Sequence, residues 1–167
     1  MLLLLLICIV ASRPVAGAEP EKAAVFDFEL IDTSLEGSIH GKRPDETARL
    51  AHITQLLREK LAASGKYTLV DLAPAAKAIS DAAPLNKCNG CIEDLAKSVG
   101  ANVAFTGYVQ KVSNLILNIN IEVRDVQTGK KLDVWSADIR GNTDESWDHG
   151  ITWLVNHRVL PKEAPHG

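Results

Sequence analysis

The sequence predicts a mixed α/β fold: one sheet of about five strands with helices packed on it, in the order strand, helix, strand, helix, helix, three strands, helix. Three observations carry this expectation. Residues 23–31 alternate as a strand, an apolar helical repeat follows over 50–61, and a second strand-like run stands at 67–72, the order of a parallel crossover. Residues 103–140 hold three strand-like runs separated by short polar turns, the order of an antiparallel meander. Asn142 and Glu145 then carry the capping signals of a terminal helix.

The first run, Ala23 to Ile31, places Phe26, Phe28 and Leu30 on one face of a strand and Val25, Asp27 and Glu29 on the other. Residues 32–43 contain Gly37, Gly41 and mixed charge without periodicity, which reads as a long exposed loop of the kind that often carries function. Pro44 opens a helix with Asp45 and Glu46 in its first turn, where the unpaired backbone donors and the dipole favour proline and acids. Leu50, Ile53, Leu57 and Leu61 continue it, and Gly65 stops it. Tyr67 to Leu72 is the second strand. Residues 73–86 hold one short helix and a turn, and a further helix of about two turns runs through Ile92, Leu95 and Val99.

The meander has its clearest alternation in Leu115 to Val126. Leu115, Leu117, Ile119, Ile121 and Val123 share one face, and Asn118, Asn120, Glu122 and Arg124 share the other, so this strand covers a core on one side and meets water or a partner on the other. In the terminal helix Asn142 is the expected cap, with Glu145 reaching back to it. Trp147, Ile151, Leu154 and Val155 form its apolar side, and His149, Trp153 and His157 recur at intervals of four on another.

Length and composition bound what such a chain does. Its 167 residues leave room for one domain and little more, at roughly 150 residues per domain. The 18 basic and 21 acidic side chains give a net charge of -3, which lacks the electrostatic footprint of a nucleic-acid binder. Met1 to Val10 is an apolar run of signal-peptide length, too short for the roughly 20 residues of a membrane-spanning helix. Ala16 and Ala18 stand at the two positions a signal peptidase reads, so residues 1–18 are expected to be removed and 19–167 to form a single periplasmic domain with no membrane span.

Without the leader two cysteines remain, Cys88 and Cys91, and an exported chain is expected to join them. Two thiols so spaced at a helix start suit a structural crosslink, disulfide exchange or a metal. Haem attachment is excluded by Ile92, which stands where the axial histidine would be, and zinc lacks a second pair of ligands at recognisable spacing. Asp27 and Glu29 point toward the carboxyl end of the first strand, where open α/β sheets bind ligands, although acids there also accept backbone hydrogen bonds from the next loop. Asn118, Asn120, Glu122, Arg124, His149, Trp153 and His157 are the candidate partner-binding residues, with Trp153 as an aromatic anchor. Phosphate-binding glycine loops are absent, and no histidine stands beside a serine or cysteine in a recognisable nucleophile arrangement.

The first strand Ala24-Val25-Phe26-Asp27-Phe28, the Gly100-Ala101-Asn102 opening of the strand that carries Thr106-Gly107, and the meander with its terminal helix together resemble a periplasmic module. It is that of the TolB amino-terminal domain, the curli secretion lipoprotein and the penicillin-binding-protein activator lipoproteins. Phe26 to Leu30, Cys88-Asn89-Gly90-Cys91, Val109 to Arg124 and Arg140 to Trp147 are also similar to a family of secreted bacterial proteins known as a domain of unknown function. The first resemblance implies the fold and the second carries no activity, so no catalytic residue transfers.

The expected function is therefore non-enzymatic: a periplasmic binding or assembly accessory that acts through an envelope protein partner, with no cofactor and no resident metal. Two alternatives stand beside it. One is a thiol-disulfide or metal-handling protein using Cys88 and Cys91, and the other is a small-molecule binder using the crevice beside Asp27 and residues 32–43.

Overall fold

The computed structural model describes residues 19–161; the expected signal peptide lies outside them. Six strands form one mixed sheet: β1 (Glu21–Val25), β2 (Glu29–Asp32), β3 (Tyr67–Leu69), β4 (Val103–Ser113), β5 (Ile116–Asp125) and β6 (Lys131–Ile139). The strand order is β3-β1-β4-β5-β6, with β2 also paired to β4. Both β1 and β3 run parallel, and β4, β5 and β6 are antiparallel, so the crossover and the meander stand as expected.

The first strand is where the alternation misleads. It is split, with both pieces lying parallel to β4, Val25 opposite Phe105 and Glu29 opposite Tyr108. Four steps along the chain therefore answer to three along β4, which is the signature of a bulge. At the bulge the Phe28 N–H leaves the ladder and donates to Thr54 Oγ1 at 3.0 Å, and Val25 O accepts from Arg58 Nη2 at 2.7 Å. One extra residue exchanges the faces of everything beyond it. Phe26 and Phe28 thus lie on opposite sides of the sheet: Phe28 and Leu30 join Ala23 and Val25 in one core, and Phe26 joins Ala24 in the other.

Around the sheet stand α1 (Leu35–His40), α2 (Pro44–Ala63), α3 (Ala76–Ala82), α4 (Cys91–Ser98) and α5 (Asp144–Leu154). The segment read as a loop contains α1, capped by Ser34, whose side chain accepts from Gly37 N. The larger core lies between one sheet face and α2 with α5, where Ile53, Leu57, Trp147, Ile151 and Leu154 meet Phe105, Val109, Ile119 and Ile121. At Gly150 α5 comes so close to β6 that an added Cβ would stand 2.3 Å from Ile139. The smaller core packs Leu85, Ile92, Leu95 and Ala96 on Ala24, Phe26 and Ala104. It covers only the β1 and β4 part of the second face.

Several boundaries differ from expectation. The second strand, expected over 67–72, ends at Leu69. Leu115 sits in the β4–β5 turn, 72% exposed, because β5 begins only at Ile116. The cap of α5 is Thr143, which accepts from Ser146 N; Asn142 is instead held by longer-range partners described below. Among the described residues no helix is long and apolar enough to cross a membrane.

Candidate functional site

The second face of β5 is met by a helix, α4, only at its Arg124 end, and it carries the predicted polar row. Asn118 donates to Asp138 Oδ1 at 2.7 Å, and Asn120 lies buried next to it, donating to Asn118 O at 3.3 Å. Glu122 and Arg124 are not free side chains. Arg124 bonds to Glu122 and reaches Glu93 of α4 at 3.0 Å, and Lys131 of β6 reaches Glu122 at 2.6 Å. Burial alone would pull the Arg124 guanidinium down, but Glu93 and Glu122 outweigh it and hold its pKa above the ordinary value. The row is thus an ordered lattice of charge, with Asn118 at its open end.

Between this face and the segment that leads into α4 lies a cleft of about 380 Å³, bounded among others by Asp27, Glu29, Cys88, Tyr108, Glu122 and Arg124. Three features read separately in the sequence therefore meet here: the first-strand acids, the cysteine pair and the charged half of β5. The Cys88 and Cys91 sulfurs stand at disulfide-bonding distance, with Cα atoms 5.9 Å apart. Cys88 Sγ also accepts from Cys91 N at the first turn of α4. Glu29 spans the cleft wall, its two oxygens accepting from Leu85 N at 2.5 Å and Asn86 N at 2.9 Å. Asp27, displaced by the bulge, is exposed and pairs with Arg58 of α2 at 2.9 Å.

The helix residues are not brought to this cleft. Trp153 is 46% exposed on the outside of α5 and stacks on His157, with ring centroids 5.2 Å apart and planes inclined by 19°. His157 lies past the regular helix, in a wide turn of π geometry over Val155–Val159, and its Nδ1 stands 2.8 Å from Trp153 O. His149 and Trp153 border a shallow hollow of about 300 Å³ with Asp138 of β6 and Arg140 just past its end. Asp138 is the link between the two regions, since it also holds Asn118.

A third constellation, centred on Lys111, is singled out by no motif of the sequence. Lys111 is fully buried and its Nζ meets Glu46 at 2.6 Å, Glu36 at 3.1 Å and Asp32 at 3.3 Å. Asn142 donates to Glu46 at 2.7 Å and accepts from the Trp147 indole at 3.0 Å, which is why it is not the helix cap. Hydrogen bonds from Lys111 and Asn114 bring the Glu36 carboxyl down to about 2. Burial works to raise Asp32, but Ser34 and the Lys111 charge outweigh it, and its pKa is lowered. Burial likewise opposes the charge on Lys111, and Glu46 with Glu36 more than restores it. The cluster ties α1, α2, β4 and α5 together. Its signal was present: Lys111 follows Phe105, Gly107 and Val109 on the core-facing positions of β4, where a lysine requires buried acids.

With this geometry in place, the chain can be compared with known proteins. Residues 21–159 match the DUF3280 model, described as a protein of unknown function (DUF2380). The chain belongs to this family. No curated protein matches this DUF3280 chain. Among solved structures, the LpoB C-terminal domain from Salmonella enterica is 19% identical over 75% of the DUF3280 chain and 87% of its own, with a TM-score of 0.52. Lipoprotein GNA1162 from Neisseria meningitidis is 16% identical over 87% of the chain and 100% of its own, with a TM-score of 0.53. PelC from Paraburkholderia phytofirmans, a dodecamer, is 15% identical over 84% and 88%, with a TM-score of 0.51. At such identities these proteins share the fold of the DUF3280 chain, and the α/β module and the family expected from its motifs both stand.

Proposed function

We propose that this DUF3280 protein is an exported, single-domain, non-enzymatic accessory that binds a protein partner in the cell envelope through the open face of β5. The observation that carries this reading is the second face of β5 and β6, which α4 meets only at the Arg124 end and which carries an ordered polar row, while the opposite face of β5 is buried under α2 and α5. A charge lattice held by Glu93, Glu122, Arg124 and Lys131 presents fixed hydrogen-bonding groups without a reactive nucleophile, which suits recognition by complementarity more than chemistry. Exposed Val134 lies opposite Glu122 in the ladder and adds apolar area to the same face. That a protein named as a lipoprotein and another that forms a dodecamer share the fold supports an envelope setting and association with other chains. Cleavage after Ala18 and a periplasmic location belong to the same proposal.

The test is a photo-crosslinking amino acid placed at Asn118, at Trp153 and, as a control, at Lys77 on α3, in intact cells. The expected result is one protein adduct from Asn118 that is lost on Asn120→Arg and not formed from Lys77. No adduct at Asn118, or the same adducts from Lys77, overturns the reading, and an adduct from Trp153 alone moves the surface to α5.

A further inference from the structure

β2 is bonded on one side only. Its residues pair with Tyr108–Lys111 of β4, while on the other side β3 has already ended, its last bridge joining Leu69 to Ala23. In a parallel ladder alternate residues of a strand bond to a given neighbour. Thr33 N donates to Lys111 O at 2.9 Å, so Ile31 and Glu29, two and four positions earlier, also turn to β4, and Leu30 and Asp32 turn their backbone groups outward. A vacant strand position follows.

That position is a groove of about 630 Å³, walled by the first turns of α2 and by residues 83–87. Phe28, Leu30, Leu50 and Pro84 make its apolar lining. Its acids are spent inside the fold: Glu29 on the Leu85 and Asn86 amides, Asp32 and Glu46 on Lys111. Its bordering lysines are not, since Lys42 and Lys87 are exposed and have no ion-pair partner among the described residues. The uncommitted charge at the mouth is therefore positive.

We infer that this groove binds an extended acidic peptide, which adds as a strand to the free edge of β2. Its backbone pairs with Leu30 and Asp32, an apolar side chain enters against Leu50, and Asp or Glu side chains meet Lys42 and Lys87. An edge that offers backbone groups in strand register recognises a peptide backbone, whereas a compact small molecule would leave most of them unpaired. The inference does not depend on the β5 face, although Glu29 borders both this groove and the cleft beside that face.

The test is to pan randomised heptapeptides on the purified chain and to measure the enriched peptides on two variants. Thr47→Trp fills the groove from an exposed helical position, and Lys42→Glu with Lys87→Glu reverses its charge; an unchanged melting curve shows that each is folded. Enriched peptides are expected to alternate apolar residues with Asp or Glu, to be lost on Thr47→Trp, and to weaken about tenfold or more on charge reversal. Methylating alternate peptide nitrogens should abolish binding in one phase and spare it in the other. No enrichment, full binding to Thr47→Trp, or equal binding of both methylated phases overturns the inference.

Discussion

Lys111 has its ammonium out of water and three carboxylates around it, and the cost of that burial is offset only while the partners stay charged and in place. Removing the cation leaves Asp32, Glu36 and Glu46 without it. Lys111→Met is expected to lose about 3–5 kcal/mol at pH 7 by urea unfolding, the usual cost of breaking one side of a buried pair. The pH dependence separates this from a plain packing defect. In the native chain Asp32 is lowered, and Glu36 and Asp45 stand at about 2, below their ordinary values of 4.5 and 3.8. Groups lowered on folding contribute stability that is present above the unfolded value and lost as pH falls through the folded one. The wild type should therefore weaken from about pH 4.5 down to pH 2, while the deficit of Lys111→Met shrinks as the acids take up protons. Parallel curves for the two proteins would show that the acids do not carry charge into the fold.

Elements in this protein are positioned by a few close approaches, and the bulge between β1 and β2 is the most consequential. It drops the Phe28 ring directly over Gly107 of β4, where an added Cβ would lie 2.4 Å from ring carbons. A methyl group at that position requires the ring or the strand to move, so Gly107→Ala is expected to cost about 1–3 kcal/mol. In a Phe28→Leu background the same substitution should cost less, since the smaller side chain leaves room, and a double-mutant cycle reads the difference. Strict additivity would mean that ring and glycine do not constrain each other. The bulge was illegible in the sequence because Phe26, Phe28 and Leu30 keep a perfect two-residue period; the acceptor that draws the Phe28 amide out of the ladder, Thr54 Oγ1, lies on a helix 26 residues away.

On the scale of the whole molecule, β4 is central, bonded by β1 and β2 on one side and by β5 on the other, and β6 is an open edge. Amide exchange should therefore be slowest in Val103–Val109 and the facing part of β5, and fast in α3 and in alternate residues of β6. Protection of β6 equal to that of β4 would reveal a strand laid along that edge, as in association with a second copy. The sequence alone determined the crossover, the meander, the helices α2, α4 and α5, the apolar side of α5 and the two faces of β5 from Leu117 onward, because each follows from a period of two or 3.6 residues that a short stretch carries in itself; the split of the first strand and α1 did not follow from it. Only the tertiary structure decided that Asn142 serves Glu46 and Trp147 instead of capping α5, that Asp27 and Glu29 part company, and that β2 keeps a free edge. Those outcomes depend on partners as far as 96 residues away in the chain, and no local period encodes which distant groups will compete for a donor.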